Sequence, residues 1–362
     1  MEKCGFPIDA VITWVDGNDK RHKAKRMEYG NDGIFQAEDV AGSTRYASVG
    51  EIFYCVASLN RYAPWIRRIY IVTDNQNPKL DGLIKANFPQ GHIPMKIIDH
   101  KAIFRGCEEY LPTFNSISIE TMTWRIPGLS EHYIELNDDF FLAAPVKPED
   151  FFTAEGNVVC YGKKYSSLLV RITRIMKRHW NGRKKVTFKE NMLNAASLLR
   201  QRVFFIKIYH TPRALLKSVY EKFFTSHPEL LEMNISHRFR SHRQYTPQEA
   251  QYLLLLREKR CTLRNAYDNL LYLKPKKDIG YTERKLRLFD RHKDFKFCCI
   301  NSLDQTGKET QKTIIEWLEN RIGVTRKKKY SQTGPIVSKR RTSCPATPQS
   351  RLPLPSRPHQ ES

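Results

Sequence analysis

The sequence predicts an α/β fold: a mostly parallel sheet with flanking helices, plus a helical basic insertion. Three observations predict it. Short apolar, β-branched runs recur near residues 8–15, 69–73, 96–100 and 133–137, with segments of helical period between them. Polar turns follow these runs, at the strand ends where α/β proteins place their sites. After Phe152 the character changes, and no acidic residue occurs between Glu155 and Glu190.

Ile8-Asp9-Ala10-Val11-Ile12-Thr13-Trp14-Val15 reads as a mostly buried first strand, and Asp16-Gly17-Asn18-Asp19 turns the chain after it. Lys20 to Asn31 is polar, a loop or a short exposed helix. Val49 to Tyr62 places Ile52, Val56 and Leu59 on one helical face, and Ala63-Pro64-Trp65 ends it. Ile69–Thr73 and Lys96–His100 are the second and third strands. Asn115 or Ser116 caps a helix running to about Arg125, which Pro127-Gly128 stops. Tyr133-Ile134-Glu135-Leu136-Asn137 is the fourth strand. Helical patterns then dominate over 191–205, 212–224 and 247–272, with Pro212 and Pro247 suited to first turns. Lys296–Ile300 is a late strand, and Lys308 to Arg321 an amphipathic helix with Ile314, Ile315 and Leu318 inward. The expected organisation is one domain over 1–324, with 153–209 as its basic, helical insertion. The expected remainder is a disordered, basic, Pro/Ser-rich tail over 325–362.

The stretch with the most chemistry is Asn137-Asp138-Asp139-Phe140-Phe141. Two adjacent carboxylates at a strand end repel each other unless a cation or a shared proton intervenes. They are candidates for holding a divalent metal with phosphate oxygens, for acid/base work, or for a plain strand-end turn. No Gly-x-Gly-x-x-Gly and no Gly-Lys-Ser/Thr occurs, so an ordinary dinucleotide site or P-loop is not supported.

The formal net charge of +23 favours polyanions as partners: nucleic acid, anionic lipid, or an acidic or phosphorylated polymer. The basic run includes Lys163, Lys164, Arg171, Arg174 and Lys189. It reads either as a solvated face or as a lip for an anionic acceptor or a membrane. No RNP, KH, zinc-finger or helix-turn-helix signature is present, so no specific nucleic-acid partner is expected. The chain lacks an apolar run of about 18 residues, a signal-peptide core and any Cys-x-x-Cys spacing. The expectation is a cytoplasmic protein with reduced thiols, peripheral at the inner membrane surface.

Four blocks, in order, resemble the Stealth family. That family includes bacterial capsular-polysaccharide phosphotransferases and the catalytic subunit of the lysosomal-enzyme GlcNAc-1-phosphotransferase. The first block is Ile8 to Asp19. The second runs from Arg45 through Tyr62-Ala63-Pro64-Trp65, Tyr70–Asp74 and Leu111-Pro112-Thr113-Phe114-Asn115-Ser116 to Asn137-Asp138-Asp139. The third holds His210-Thr211-Pro212 and His237-Arg238-Phe239-Arg240-Ser241. The fourth is Phe297-Cys298-Cys299-Ile300-Asn301. There are two departures. The family's Glu-Leu-Arg-Tyr-Ser-Leu-Arg-Ser-like helix is here Glu51-Ile52-Phe53-Tyr54-Cys55-Val56-Ala57-Ser58. The usual final Asn-Asp is Asn301-Ser302, which leaves Asn301, Asp304 or water for any metal.

The resemblance implies a GT-A- or Rossmann-like nucleotide-sugar-binding sheet. The implied activity is transfer of hexose- or N-acetylhexosamine-1-phosphate from a nucleotide sugar to a glycan hydroxyl, in capsule or exopolysaccharide synthesis. It implies Asp138, Asp139, His210 and Arg240 as catalytic residues. Asp16, Gly17, Asn18, Asp19, Arg45, Asn115 and Ser116 would bind the donor. Mg²⁺ or Mn²⁺ would sit on Asp139 and Asn301. The competing expectations are a metal-dependent glycosyltransferase that moves the sugar without its phosphate, an inactive relative, and a nucleic-acid-binding relative.

Overall fold

Four parallel strands carry the fold: β1 (Ile8–Thr13), β2 (Arg68–Thr73), β3 (Met95–Asp99) and β4 (His132–Asn137). The computed structural model describes residues 5–30, 49–168, 170, 188–265, 270–274, 278–293 and 295–326. Arg45, the middle of the basic run and the predicted tail beyond Arg326 lie outside the described residues. The sheet order is β3-β2-β1-β4, closed at one edge by the antiparallel strand β8 (Arg213–Leu216). Ile12 sits opposite Ile71 on one side and Leu136 on the other. Ala10, Val11 and Ile12 are fully buried, as a parallel strand covered on both faces requires. The order reverses between β1 and β4, the switch point where open α/β sheets leave a crevice at their carboxyl ends.

The predicted short segment after β1 is helix α1 (Lys20–Glu28), and the predicted second helix is α2 (Glu51–Tyr62). Nearly every side chain of α2 is buried, not one face only. Phe53 and Ala57, which stand where the family pattern has two arginines, are among them. Basic residues there would lose their water on burial, so the apolar replacements suit the packing of this chain.

The region after Phe152 departs most from the expected helices. Within 153–209 the described residues form strand β6 (Val158–Ser166), helix α6 (Phe188–Leu198) and strand β7 (Phe204–Ile208). Phe204–Ile208 is apolar enough for a helix face, but pairing with Ser166–Gly162 decides for strand. Pro212 opens no helix. It precedes β8, and the following helix α7 starts five residues on (Lys217–Ser226). Pro247 does open helix α9 (Pro247–Arg257). That helix stops well short of Tyr272, because Cys261–Arg264 joins β6 as strand β9 and Leu270–Leu273 becomes strand β10. β10 lies beside β11 (Phe297–Ile300), and β11 pairs with β5 (Phe140–Leu142). This small sheet begins one residue after Asp139. Among the described residues no helix is long and apolar enough to cross a membrane.

Under the sheet edge lies a buried ionic network. Arg213 Nη1 is 3.4 Å from Glu135 Oε2 and 3.8 Å from Glu120 Oε1, and all three side chains are buried. Gln248 donates to both carboxylates. Burial, then the charge of Glu120, pushes the Glu135 carboxyl up to about 7. Arg213→Met leaves two buried acids without their cation, and breaking such a network costs about 3–5 kcal/mol. Urea denaturation at pH 8 should read that loss, and adding Glu135→Gln should recover much of it. A loss under about 1 kcal/mol would show that the network does not stabilise the fold as the ion-pair energies require.

Candidate active site

A cavity of about 720 Å³ opens at the carboxyl ends of β1 and β4, at the switch point. Thr13, Trp14 and Val15 approach it from β1, and Asn137, Asp138 and Asp139 from β4. Backbone pairing sets the aspartates. The Ile300 N–H donates to the Asp139 carbonyl at 3.1 Å, and the Asn301 N–H donates to the Leu273 carbonyl at 3.0 Å. Thus β10 and β11 bring Asn301 beside Asp139, although 162 residues separate them. Asn301 Nδ2 donates to Asp139 Oδ2 at 3.4 Å, and Ser302 Oγ donates to Asn301 Oδ1 at 3.0 Å.

Four carboxylates line this one cavity: Glu51, Asp138, Asp139 and Asp304. Withdrawal from water, then the neighbouring charges of Asp139 and Glu51, pushes the Asp138 carboxyl well above its ordinary range. Withdrawal from water raises Asp139 to about 6, opposed by the hydrogen bond from Asn301. Asp304 is also raised, by partial burial and then by Glu51. Such a cluster is more acidic in composition than in charge until a cation neutralises it.

The residues fit a divalent cation. Asp139 Oδ1 and Asn137 Oδ1 are buried with no hydrogen-bond donor, an arrangement rare in native interiors. These are hard oxygen ligands of the kind Mg²⁺ and Mn²⁺ prefer. Among the described residues no three His, Cys, Asp or Glu side chains form a cage by themselves. Mg²⁺ needs none, since it is ordinarily held by one or two carboxylates together with substrate phosphates. Where the family pattern has a second aspartate, Ser302 stands at φ 62°, with its side chain on the cavity wall. Asp304, two residues on, supplies a carboxylate to the same wall.

Arg240 faces this acidic floor from another element. Its Nη2 donates to Ser116 Oγ at 2.7 Å, and both residues line the cavity. The loop that carries Arg240 is held by Asn115. The Asn115 Nδ2 lies 2.9 Å from the His237 carbonyl, 3.0 Å from the Phe239 carbonyl and 2.9 Å from Gln244 Oε1. Its Oδ1 accepts from Ile117 N–H and caps helix α5 (Ser116–Met122). Asn115 was expected to bind the donor. It is fully buried and sits behind the wall, where its amide fixes the Arg240 loop.

The turn at Asp16-Gly17-Asn18-Asp19 borders a second, neighbouring cavity of about 310 Å³ through Asp16 and Asp19. Trp14 and His22 line both cavities. The turn is built before any ligand arrives. The Asp16 N–H donates to Gln76 Oε1 and Gln76 Nε2 donates back to the Asp16 carbonyl. Asp16 Oδ1 accepts from the Asn18 N–H, and Asp19 caps α1 through the His22 N–H. Gly17 and Asn18 line neither cavity.

His210 does not line the large cavity. Its ring stacks on Tyr272 at 4.6 Å and meets the edge of Phe140, the residue after Asp139, at 6.2 Å. Burial, then the positive charge of Arg213, pulls its pKa down to about 4, so it is neutral at physiological pH. Arg238 is no solvated cation: it donates to the Pro112 and Glu109 carbonyls and lies 4.7 Å over the Tyr29 ring. Glu51, Lys274, His22 and His100 on the cavity wall were not singled out from the sequence. Glu51 opens the family-like helix and could have been found there; nothing local marks the others.

Residues 6–33 match Stealth protein CR1, conserved region 1, and residues 45–160 match Stealth protein CR2, conserved region 2. An exopolysaccharide phosphotransferase of Streptomyces coelicolor is 37% identical over 240 residues, 66% of this chain and 38% of that protein. A capsular polysaccharide phosphotransferase of Haemophilus influenzae is 36% identical over 243 residues, 65% of this chain and 61% of that protein. The chain thus spans less than two thirds of the length of either relative, 38% of one and 61% of the other. Among solved structures, mouse xyloside xylosyltransferase 1 aligns over 82% of this chain and 97% of its own, at 11% identity and a TM-score of 0.38. Both conserved regions of the Stealth family are thus matched in order, over 6–33 and 45–160, and the chain is similar to polysaccharide phosphotransferases at 36–37% identity.

Proposed function

We propose that this chain transfers a sugar 1-phosphate from a nucleotide sugar to a glycan hydroxyl. The observation that carries the reading is the Asp138-Asp139 pair facing Arg240 across one cavity at the sheet's switch point. The names of its relatives, exopolysaccharide and capsular polysaccharide phosphotransferases, support the same chemistry.

In this reading the acceptor oxygen attacks the sugar-linked phosphorus. A new P–O bond forms, the P–O bond to the nucleoside monophosphate breaks, and a phosphodiester results. The sugar C1–O bond is untouched, so the anomeric configuration is retained. Asp138, in its ionised form, takes the acceptor hydroxyl proton. The Arg240 guanidinium, aimed by Ser116, meets two phosphoryl oxygens at once. Asn301 orients Asp139. His210 is a positioning residue that packs Phe140, and with it the end of the Asp pair. Asp139, with Asn301 or Asp304 beside it, would hold Mg²⁺ or Mn²⁺, which would supply charge neutralisation for the diphosphate. The Asp16–Asp19 turn and the smaller cavity take a remote part of the donor.

The test is incubation with a panel of nucleotide sugars, Mg²⁺ and a polysaccharide acceptor, scoring the nucleotide released. Nucleoside monophosphate, with a phosphodiester signal in the ³¹P spectrum of the product, is the expected result. Nucleoside diphosphate with no phosphorus in the product would replace this reading with ordinary glycosyl transfer.

A further inference from the structure

One surface away from the cavity combines two properties seldom found together. Val203 and Leu168, at 74% and 63% exposure, are the two most exposed large apolar side chains among the described residues. They are neighbours: the Ser167 N–H donates to the Val203 carbonyl at 3.0 Å, at the end of the β6–β7 pairing. Leu198, also exposed, ends α6 five residues before Val203, and the Gln201 N–H returns to the Ala196 carbonyl at 2.7 Å.

Cations surround this apolar end. Lys164 Nζ lies 4.6 Å over the Phe204 ring, and Lys189 and Lys207 lie 5.9 and 5.5 Å over Tyr165. Lys163 and Arg202 are exposed beside them. Among the described residues from Lys163 to Lys207 there are six Lys and Arg (Lys163, Lys164, Lys189, Arg200, Arg202 and Lys207) against one carboxylate, Glu190. A soluble polyanion would satisfy these cations but would offer nothing to Leu168 and Val203. An anionic bilayer satisfies both, with phosphates at the headgroup level and hydrocarbon a few ångströms deeper.

We propose that the outer end of β6 and β7 is a peripheral membrane-binding surface that places Leu168 and Val203 in the headgroup boundary of an anionic bilayer. Lys163, Lys164 and their neighbours bind its phosphates. Tyr165 and Phe204 are aromatic side chains of the kind that lodge at such an interface. The surface would hold the chain at a membrane whatever reaction the cavity performs.

The experiment is co-sedimentation of the full chain with phosphatidylcholine vesicles, with and without phosphatidylglycerol. Binding is expected only with the anionic lipid. The Leu168→Asp/Val203→Asp variant should bind about tenfold more weakly or worse, with an unchanged melting temperature because both side chains stand in solvent. Lys163→Glu/Lys164→Glu should weaken binding similarly and flatten its salt dependence, and it carries the test if the first variant does not fold. No binding to either vesicle overturns the proposal. So does full vesicle binding by the apolar variant, which would make the surface a lip for soluble polyanions. So does a change from dimer to monomer in that variant by light scattering, which would make it an interface between copies. Nucleotide release from soluble substrates is read on the same samples. Its failure would count against the transfer reading and leave the vesicle result intact.

Discussion

Asp139→Asn should lower kcat by about a thousandfold or more and, in EDTA at pH 8, leave the protein more stable than wild type. The first half follows from position. Asp139 stands on the cavity floor with one oxygen held by Asn301 and the other, Oδ1, without a donor. In the proposed reading, replacing that oxygen's charge removes the carboxylate that would hold a cation against the donor diphosphate. The second half follows from linkage. The folded carboxyl is raised from 3.8 to about 6. Between those values the folded state holds a proton that the unfolded state has lost, so stability falls as pH rises through the window. Above about pH 6 the full penalty remains, up to about 3 kcal/mol for a shift of this size. Asn carries no charge at any pH and escapes it. At pH 4 the two proteins should differ little. Melting temperatures at both pH values, with EDTA and with Mg²⁺, check this. Mg²⁺ should raise the wild-type value and not that of the variant. A variant that melts below wild type at pH 8 in EDTA, or that turns over normally, would show that Asp139 is an ordinary turn residue.

Arg240→Lys should keep the fold and lose about a hundred- to a thousandfold in kcat, roughly 3–4 kcal/mol of transition-state stabilisation. In a loose phosphoryl-transfer transition state the charge is spread over the peripheral oxygens. A guanidinium fork meets two of them at a fixed angle, whereas an ammonium is a point charge. Here the fork is already aimed by its 2.7 Å bond to Ser116. The two neighbouring arginines are informative controls because the structure separates them. Arg238→Lys gives up bonds to the Pro112 and Glu109 carbonyls, so it should lose stability before activity. Arg243 is exposed, and Arg243→Lys should change neither. Measuring kcat and thermal stability for all three in parallel separates catalysis from packing. Equal losses of activity in all three would remove Arg240 from the site.

Much of this molecule could be read before its structure was known. The alternation of apolar runs with helical segments predicted a mostly parallel sheet, and β1 to β4 fall within a residue or two of the runs that marked them. Asn137-Asp138-Asp139 was legible as a strand end bearing carboxylates. These features depend on local periodicity and on chemistry carried by adjacent residues.

What the sequence alone determined about this protein was therefore its α/β class, its first four strands, its excess of cations and its likeness to the Stealth blocks. Which residues share a wall depends on the folding of distant segments against one another. Asn115 and Ser116 are adjacent, yet one is buried behind the Arg240 loop and the other faces the cavity. Phe204–Ile208 and Leu270–Leu273 are strands because each finds a partner strand, β6 in one case and β11 in the other. Asn301 reaches Asp139 across 162 residues through the register of β10, β11 and β5. Local propensity differs by a fraction of a kcal/mol between helix and strand for such segments, and pairing and burial outweigh it. Those pairings are made between distant parts of the chain, so no window of sequence contains them.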